Sequence, residues 1–264
     1  MKKLSISCLL LVAFCAVSVQ ASTILLGTAG SYAVLAGASV VNTGTSVLTG
    51  NVGLSPGVSP GCAVGGFPPG IVNGTINKCN GPAAQAQSDL TAAYLAAKGL
   101  TRTKTLTGTD LGGLVLTPGV YFFADSAQLT GALTLDSLGN PNAQFVFQIG
   151  STLTTASSSD VDVINGGNDG NVFWQVGSSA TLGTTTEFAG NILALTSITL
   201  NSGASIGCGR ALARNGTVTL GTNVISINSG CESGSTTSTP EPGTLSLFAL
   251  GSSLIALWRG KRRW

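Results

Sequence analysis

The sequence predicts a mainly β chain built as a solenoid with a single long helix laid on it, and three observations carry that expectation. Short alternating runs of Gly, Thr, Ser, Ala, Val and Leu fill the chain between residues 22 and 231, the composition of pleated, half-buried strands. The runs repeat: Thr181-Leu182-Gly183, Thr199-Leu200-Asn201 and Thr219-Leu220-Gly221 recur after 18 and then 20 residues, and Phe145-Val146-Phe147-Gln148-Ile149-Gly150-Ser151 is echoed by Val172-Phe173-Trp174-Gln175-Val176-Gly177-Ser178. Recurrence near twenty residues, with Gly, Asn and Ser between strands, is the pattern of coils that bury apolar side chains against one another. One stretch breaks the β pattern. Over residues 82–98, Ala83, Ala86, Leu90, Ala93, Tyr94 and Ala97 fall on one helical face, with Pro82 at the start and Gly99 beyond the last turn. This small-volume stripe suits close docking on a flat sheet.

In chain order, residues 1–21 read as an export signal. Lys2 and Lys3 precede an apolar stretch over residues 4–19 that closes on Val19-Gln20-Ala21, with the cut expected after Ala21. Residues 22–231 form one expected domain. A polar spacer follows at residues 232–239, and then Pro240-Glu241-Pro242, an apolar run over residues 243–258, and the cluster Arg259, Lys261, Arg262 and Arg263. Neither terminal apolar run reaches the ~20 residues that span a membrane comfortably. The tail over residues 240–264 resembles the PEP-CTERM sorting signal, carried by proteins that Gram-negative bacteria export and recognised by an exosortase. That resemblance implies a cell-surface or extracellular protein that meets exosortase during export and touches a membrane only through its tail.

Setting the tails aside changes the charge. The full chain has 12 Lys and Arg against 10 Asp and Glu; without Lys2, Lys3, Arg259, Lys261, Arg262, Arg263 and Glu241, 6 face 9, a net of −3. The apparent basicity belongs to addressing, and it gives no support to nucleic-acid binding, which needs clustered cations on the working surface. Cys8 and Cys15 leave with the signal, while Cys62, Cys79, Cys208 and Cys231 remain. An even number in an exported chain favours disulfides, and proximity suggests Cys62 with Cys79 and Cys208 with Cys231. A metal site is the rival reading, but the chain has no histidine and no Cys-x-x-Cys, so no metal and no cofactor are expected.

Without histidine, the commonest general base is missing. Asp160 and Asp162, two apart on an expected strand, point to one face and could act as a carboxylate pair or simply form a solvated edge. Nothing nearby supplies an acid, a clamp or a sugar platform, and the chain reads as non-enzymatic. Phe145, Phe147, Phe173 and Trp174 could line a cleft, but strand spacing favours core filling for some and helix docking for others. The segment Asn165-Gly166-Gly167-Asn168-Asp169-Gly170 resembles a calcium turn; unrepeated, it reads as a hairpin or loop.

A family resemblance rests on Gly50-Asn51-Val52-Gly53-Leu54-Ser55-Pro56-Gly57, on Leu116-Thr117-Pro118-Gly119-Val120-Tyr121, and on residues 171–214 with Gly190-Asn191-Ile192-Leu193-Ala194 and Gly209-Arg210-Ala211-Leu212-Ala213-Arg214. These segments resemble the microbial ice-binding proteins of bacteria and fungi, over roughly residues 25–227. The resemblance implies a right-handed, discontinuous β-solenoid of triangular cross-section, with the long helix packed along one face and a flat face open to ice. Family members carry short Thr-Ala/Gly-x-Thr/Asn segments there. The counterparts are Thr43-Gly44-Thr45-Ser46, Thr155-Ala156-Ser157-Ser158, Thr184-Thr185-Thr186-Glu187 and Ser202-Gly203-Ala204-Ser205, of which the third departs by placing Glu187 where a small residue is expected.

The candidate ice-contacting residues are therefore Thr43, Thr45, Ser46, Thr155, Ser157, Ser158, Thr184, Thr186, Ser202 and Ser205. The same residues also fit ordinary polar turns and strands. Two functions follow: adsorption to an ice crystal surface through a flat Thr/Ser face, or a non-catalytic structural or adhesive surface protein without ice affinity, working on an extracellular polysaccharide. Family membership favours the first, while Glu187 and the serine substitutions favour the second.

Overall fold

A computed structural model describes residues 23–57 and 61–227. The signal segment 1–21, Cys231, the spacer 232–239 and the tail with Pro240, Glu241 and Pro242 lie outside the described residues. The strands are short and all their pairings are parallel, so each coil contributes one strand to each of three sides. On the first side the order is Lys104–Thr105, Gly119–Phe123, Phe145–Ile149, Val172–Val176, the later halves of Glu187–Ala194 and Ser205–Ala213, then Tyr32–Ala36, Asn51–Leu54 and Ile76–Lys78. The second side stacks Ala127–Leu129, Leu153–Thr155, Ala180–Leu182, Ile198–Leu200, Val218–Leu220, Val40–Asn42 and Val64–Gly65. Val115–Leu116, Ala132–Asp136, Asp160–Ile164, the beginnings of the two long strands, Val224–Ser226, Val47–Thr49 and Ile71–Asn73 make the third.

The stack is out of chain order. The final coil, through Val224–Ser226, pairs with Val47–Thr49 from the first, so the N-terminal coils sit beneath the C-terminal ones. The chain must then travel from Ile76–Lys78 at one end to Lys104–Thr105 at the other, and the helix Gly81–Gly99 makes that journey. Nineteen helical residues cover ~28 Å, against ~38 Å for nine stacked strands; the flanking segments supply the remainder.

The helix forms where the sequence places it. Asn80 accepts a hydrogen bond from the Ala83 N–H through its side chain, Pro82 occupies the first turn, and the buried residues are Ala83, Ala86, Leu90, Ala93, Tyr94 and Ala97. They pack on the outward side chains of the first side, Leu35, Val146, Phe173, Leu193 and Leu212. At the other terminus the amide of buried Gln148 donates to the carbonyls of Ala97 at 2.8 Å, Lys98 at 3.3 Å and Leu100 at 2.9 Å, a cap supplied by the sheet rather than by the helix.

Inside the coils, in-register positions stack Tyr121, Phe147 and Trp174, with centroids 5.5 and 3.9 Å apart, and Phe188 lies 4.9 Å from Trp174. Trp174 donates its indole N–H to the Ala189 carbonyl at 3.0 Å. Phe145 is in the same core while Phe173 faces the helix, so these four aromatics fill volume and dock the helix.

Two resemblance segments owe their glycines to the corner between the third and first sides. Gly190 has φ +98°, and a Cβ on Gly209 would fall 1.9 Å from the Gly190 carbonyl oxygen. The residues that follow are also structural: buried Asn191 donates to the Gly170 and Val172 carbonyls, and buried Arg210 donates to Asn191 Oδ1 at 2.8 Å and the Gly30 carbonyl at 2.7 Å.

Cys62 is bonded to Cys79, with Cα atoms 6.0 Å apart and a separation of 17 positions in sequence. Cys208 is also disulfide-bonded. The first bridge closes the segment that covers the end of the stack. Converting Cys62 and Cys79 together to Ser is expected to lower stability by ~3 kcal/mol, read as a lower midpoint in urea; an unchanged midpoint would refute this.

Candidate functional surface

The second side is the least charged surface of the solenoid. Its seven strands contain no Asp, Glu, Lys or Arg. Each three-residue strand buries its outer two residues and turns the central one outward, so Leu153, Ala180, Leu182, Ile198, Leu200, Val218 and Leu220 enter the core. The central residues come into register as Gln128, Thr154, Thr181, Thr199, Thr219, Val41 and Gly65, with threonines on four successive coils.

A second column runs two residues earlier along each strand: Ser126, Thr152, Ser179, Ser197, Thr217 and Ser39. Its hydroxyls are linked across coils, Ser126 to Thr152 at 2.8 Å and Ser39 to Thr217 at 2.8 Å, while the N–H groups of Ser197 and Thr217 donate to Ser179 and Ser197. Neighbouring coils repeat at ~4.8 Å and alternate residues along a strand at ~6.8 Å. The two columns are thus a lattice of hydroxyls and methyls on a packed backing. Thr is stiff at χ1, so its methyl and hydroxyl hold their positions.

The sequence-derived candidates do not form this lattice. They fall on the corner between the second and third sides, where four-residue turns join the strands. Thr43, Thr45, Ser157, Ser158, Thr184 and Ser202 are exposed there, with Ser157 and Thr184 bonded at 2.7 Å and Ser158 and Thr185 at 2.9 Å. Ser205 is half-buried on the third side.

Ser46, Thr155 and Thr186 are corrected by the structure: they are buried at 0, 3 and 0 % exposure and cannot touch a surface. Thr155 and Thr186 bond each other at 2.9 Å, and Thr155 also accepts from the Gly183 N–H. Ser46 donates to Asn42 Oδ1 and the Gly221 carbonyl. The physical reason is the turn: four residues rounding a corner leave backbone groups facing inward, and these hydroxyls satisfy them.

Sequence reasoning missed Thr154, Thr181, Thr199 and Thr219 as surface residues, although the Thr-Leu-Gly/Asn repeat contains three of them. The signal was an outward Thr beside a buried Leu at coil period. Glu187 does not interrupt the lattice, since it lies around the corner on the third side, paired in register with Asp160 and Ser205.

That third side is acidic at this level. Burial raises the Asp160 pKa above the ordinary carboxylate value, and Asp162 and Glu187 raise it further. A carboxyl with its folded pKa raised favours the fold most when protonated, so its contribution fades as pH climbs through that pKa. Asp160→Asn is therefore expected to melt higher than the parent at pH 7 and to lose that advantage near pH 3.5. Melting curves at the two pH values check the sign; an advantage that grows in acid would refute it.

Comparison with known proteins agrees with this geometry. Residues 34–226 match the model of the ice-binding-like family, and residues 238–263 match the PEP-CTERM protein-sorting motif. The chain is 57 % identical over 237 residues to an ice-binding protein of Nostoc sp. (strain HG1), covering 90 % of this chain and 86 % of that one. An ice-binding protein of Flavobacterium frigoris (strain PS1) is 32 % identical over 216 residues, with 76 and 75 % covered. Among solved structures, an ice-binding protein from an Antarctic biological consortium superposes with TM-score 0.74 at 47 % identity, covering 78 % of this chain and 91 % of that one. One from the Antarctic ascomycete Antarctomyces psychrotrophicus gives TM-score 0.74 at 37 %, covering 78 and 99 %. A three-sided parallel solenoid with one lengthwise helix, matched by that model over most of its length, makes this chain a member of the ice-binding-like family.

Proposed function

We propose that this protein adsorbs to ice through the second side of its solenoid and acts there without catalysis. The observation that carries the reading is the in-register lattice of Thr and Ser hydroxyls on an uncharged sheet backed by a packed core. Such a surface holds a layer of water in a repeating arrangement, whereas long charged side chains would keep their own hydration and wander. The exposed corner residues Thr43, Thr45, Ser157, Ser158, Thr184 and Ser202 extend it along one edge. The names of the relatives support ice as the ligand.

The sorting-motif match supports export and handling of the tail by an exosortase in a Gram-negative host, with the folded body working at the cell surface or outside the cell. The test is ice-crystal habit and thermal hysteresis of the purified, disulfide-bonded protein in a nanolitre cryoscope. Faceted crystals and a gap between melting and freezing are expected. Round crystals that grow freely at high protein concentration would overturn the reading.

A further inference from the structure

We propose that the groove where the C-terminal end of the helix meets the first side is a second binding site, and that it takes the carboxylates of an acidic polysaccharide. A cavity of about 190 Å³ opens there, lined in part by Tyr94, Lys98, Arg102, Phe122, Gln148 and Gln175. Its polar walls are built in place. Gln148 and Gln175 are 4 and 3 % exposed; the first donates to the carbonyls of Ala97, Lys98 and Leu100 at the end of the helix, and the second donates to the Tyr94 hydroxyl at 2.9 Å. Because Tyr94 accepts from Gln175, its own proton is left for another acceptor.

The charge is gathered at this groove. Residues 23–227 contain six Lys and Arg: Lys78, Lys98, Arg102, Lys104, Arg210 and Arg214. Lys98 and Arg102 line the groove, and Arg214 borders it, its guanidinium 4.7 Å from the Tyr94 ring centroid. Arg102 lies over Phe122 at 3.3 Å. None of the three forms an ion pair among the described residues. Arg102 and Arg214 are oriented by stacking, Arg214 also by donating to the Thr91 hydroxyl at 3.3 Å, rather than neutralised by carboxylates. The negative end of the helix dipole would oppose an anion here, but Gln148 already occupies the last carbonyls.

The spacing selects the ligand. Phe122, Gln148 and Gln175 are successive rungs, with Arg102 above the first and Tyr94 on the third beneath Arg214. The two rings that carry the guanidiniums are thus anchored on rungs two coil spacings, ~10 Å, apart, a span suited to a polymer with repeated charges. Both ring faces are covered by guanidinium, which removes the platform that a neutral sugar or a nucleic-acid base would stack on.

The test is affinity electrophoresis of the purified protein in gels containing alginate, with dextran sulfate, neutral dextran and single-stranded DNA as separate arms. Alginate is expected to retard the parent in a salt-dependent way, and Lys98→Gln and Arg102→Gln are each expected to weaken that retardation about tenfold. Both residues are exposed, so the variants should keep the parent melting temperature and thermal hysteresis, which separates this site from the ice surface. Equal retardation by neutral dextran, tighter binding of DNA or dextran sulfate than of alginate, or variants that bind alginate like the parent would each overturn the proposal.

Discussion

Replacing Thr181 and Thr199 together by Tyr is expected to reduce thermal hysteresis to about a tenth of the parent value or less, since disrupting the centre of an interface removes most of its energy. The two residues are adjacent rungs of the central column, in register and pointing outward between buried neighbours. A phenol ring at each would stand above the lattice and hold the surface away from ice. Tyr is as good a strand residue as Thr, so the melting temperature should hold. Thr155→Tyr is the instructive contrast: Thr155 is buried against Thr186, and any activity lost there should be accompanied by a lower melting temperature. If Thr181→Tyr with Thr199→Tyr keeps full hysteresis while Ser157→Tyr or Thr184→Tyr abolishes it, the corner and not the flat side is the ice surface.

Arg210→Met is expected to lower stability by ~3 kcal/mol, because it strands buried acceptors that had a charged donor. Arg210 is 1 % exposed and reaches both Asn191 on the next coil and the Gly30 carbonyl beside the strand Tyr32–Ala36. It thus joins a C-terminal coil to the N-terminal segment stacked beneath it, across the break in chain order. For a domain of this size the loss corresponds to a fall of roughly 10 °C in melting temperature. Scanning calorimetry checks it. A double-mutant cycle with Asn191→Ala should return a coupling of about 1 kcal/mol or more, and additive effects would show that the two side chains act separately.

Periodicity and composition were enough for the class of fold and for the helix: an alternating Thr-Leu repeat near twenty residues has few ways to bury its leucines except by stacking, and the Ala stripe of Pro82 to Lys98 is helical by spacing alone. Local pattern also brought out the Cys62 and Cys79 pair, close in sequence and even in number. What no local pattern contains is which strands become neighbours. That Val224–Ser226 pairs with Val47–Thr49, and that Val41 completes a column begun by Gln128, follows from long-range register.

Register also decided the site. Short Thr/Ser segments are legible in a sequence, but whether a hydroxyl faces water or the core depends on the corner it rounds. Thr155 lies in register with the buried Leu129 and two positions along the strand from the buried Leu153, so it points inward, while its neighbour Thr154 joins the exposed lattice. Side chains alternate across a strand, so a one-residue difference moves a group from ice to core. Composition and repeat placed Thr on this solenoid, and only the stacking of distant coils selected the threonines that share one plane.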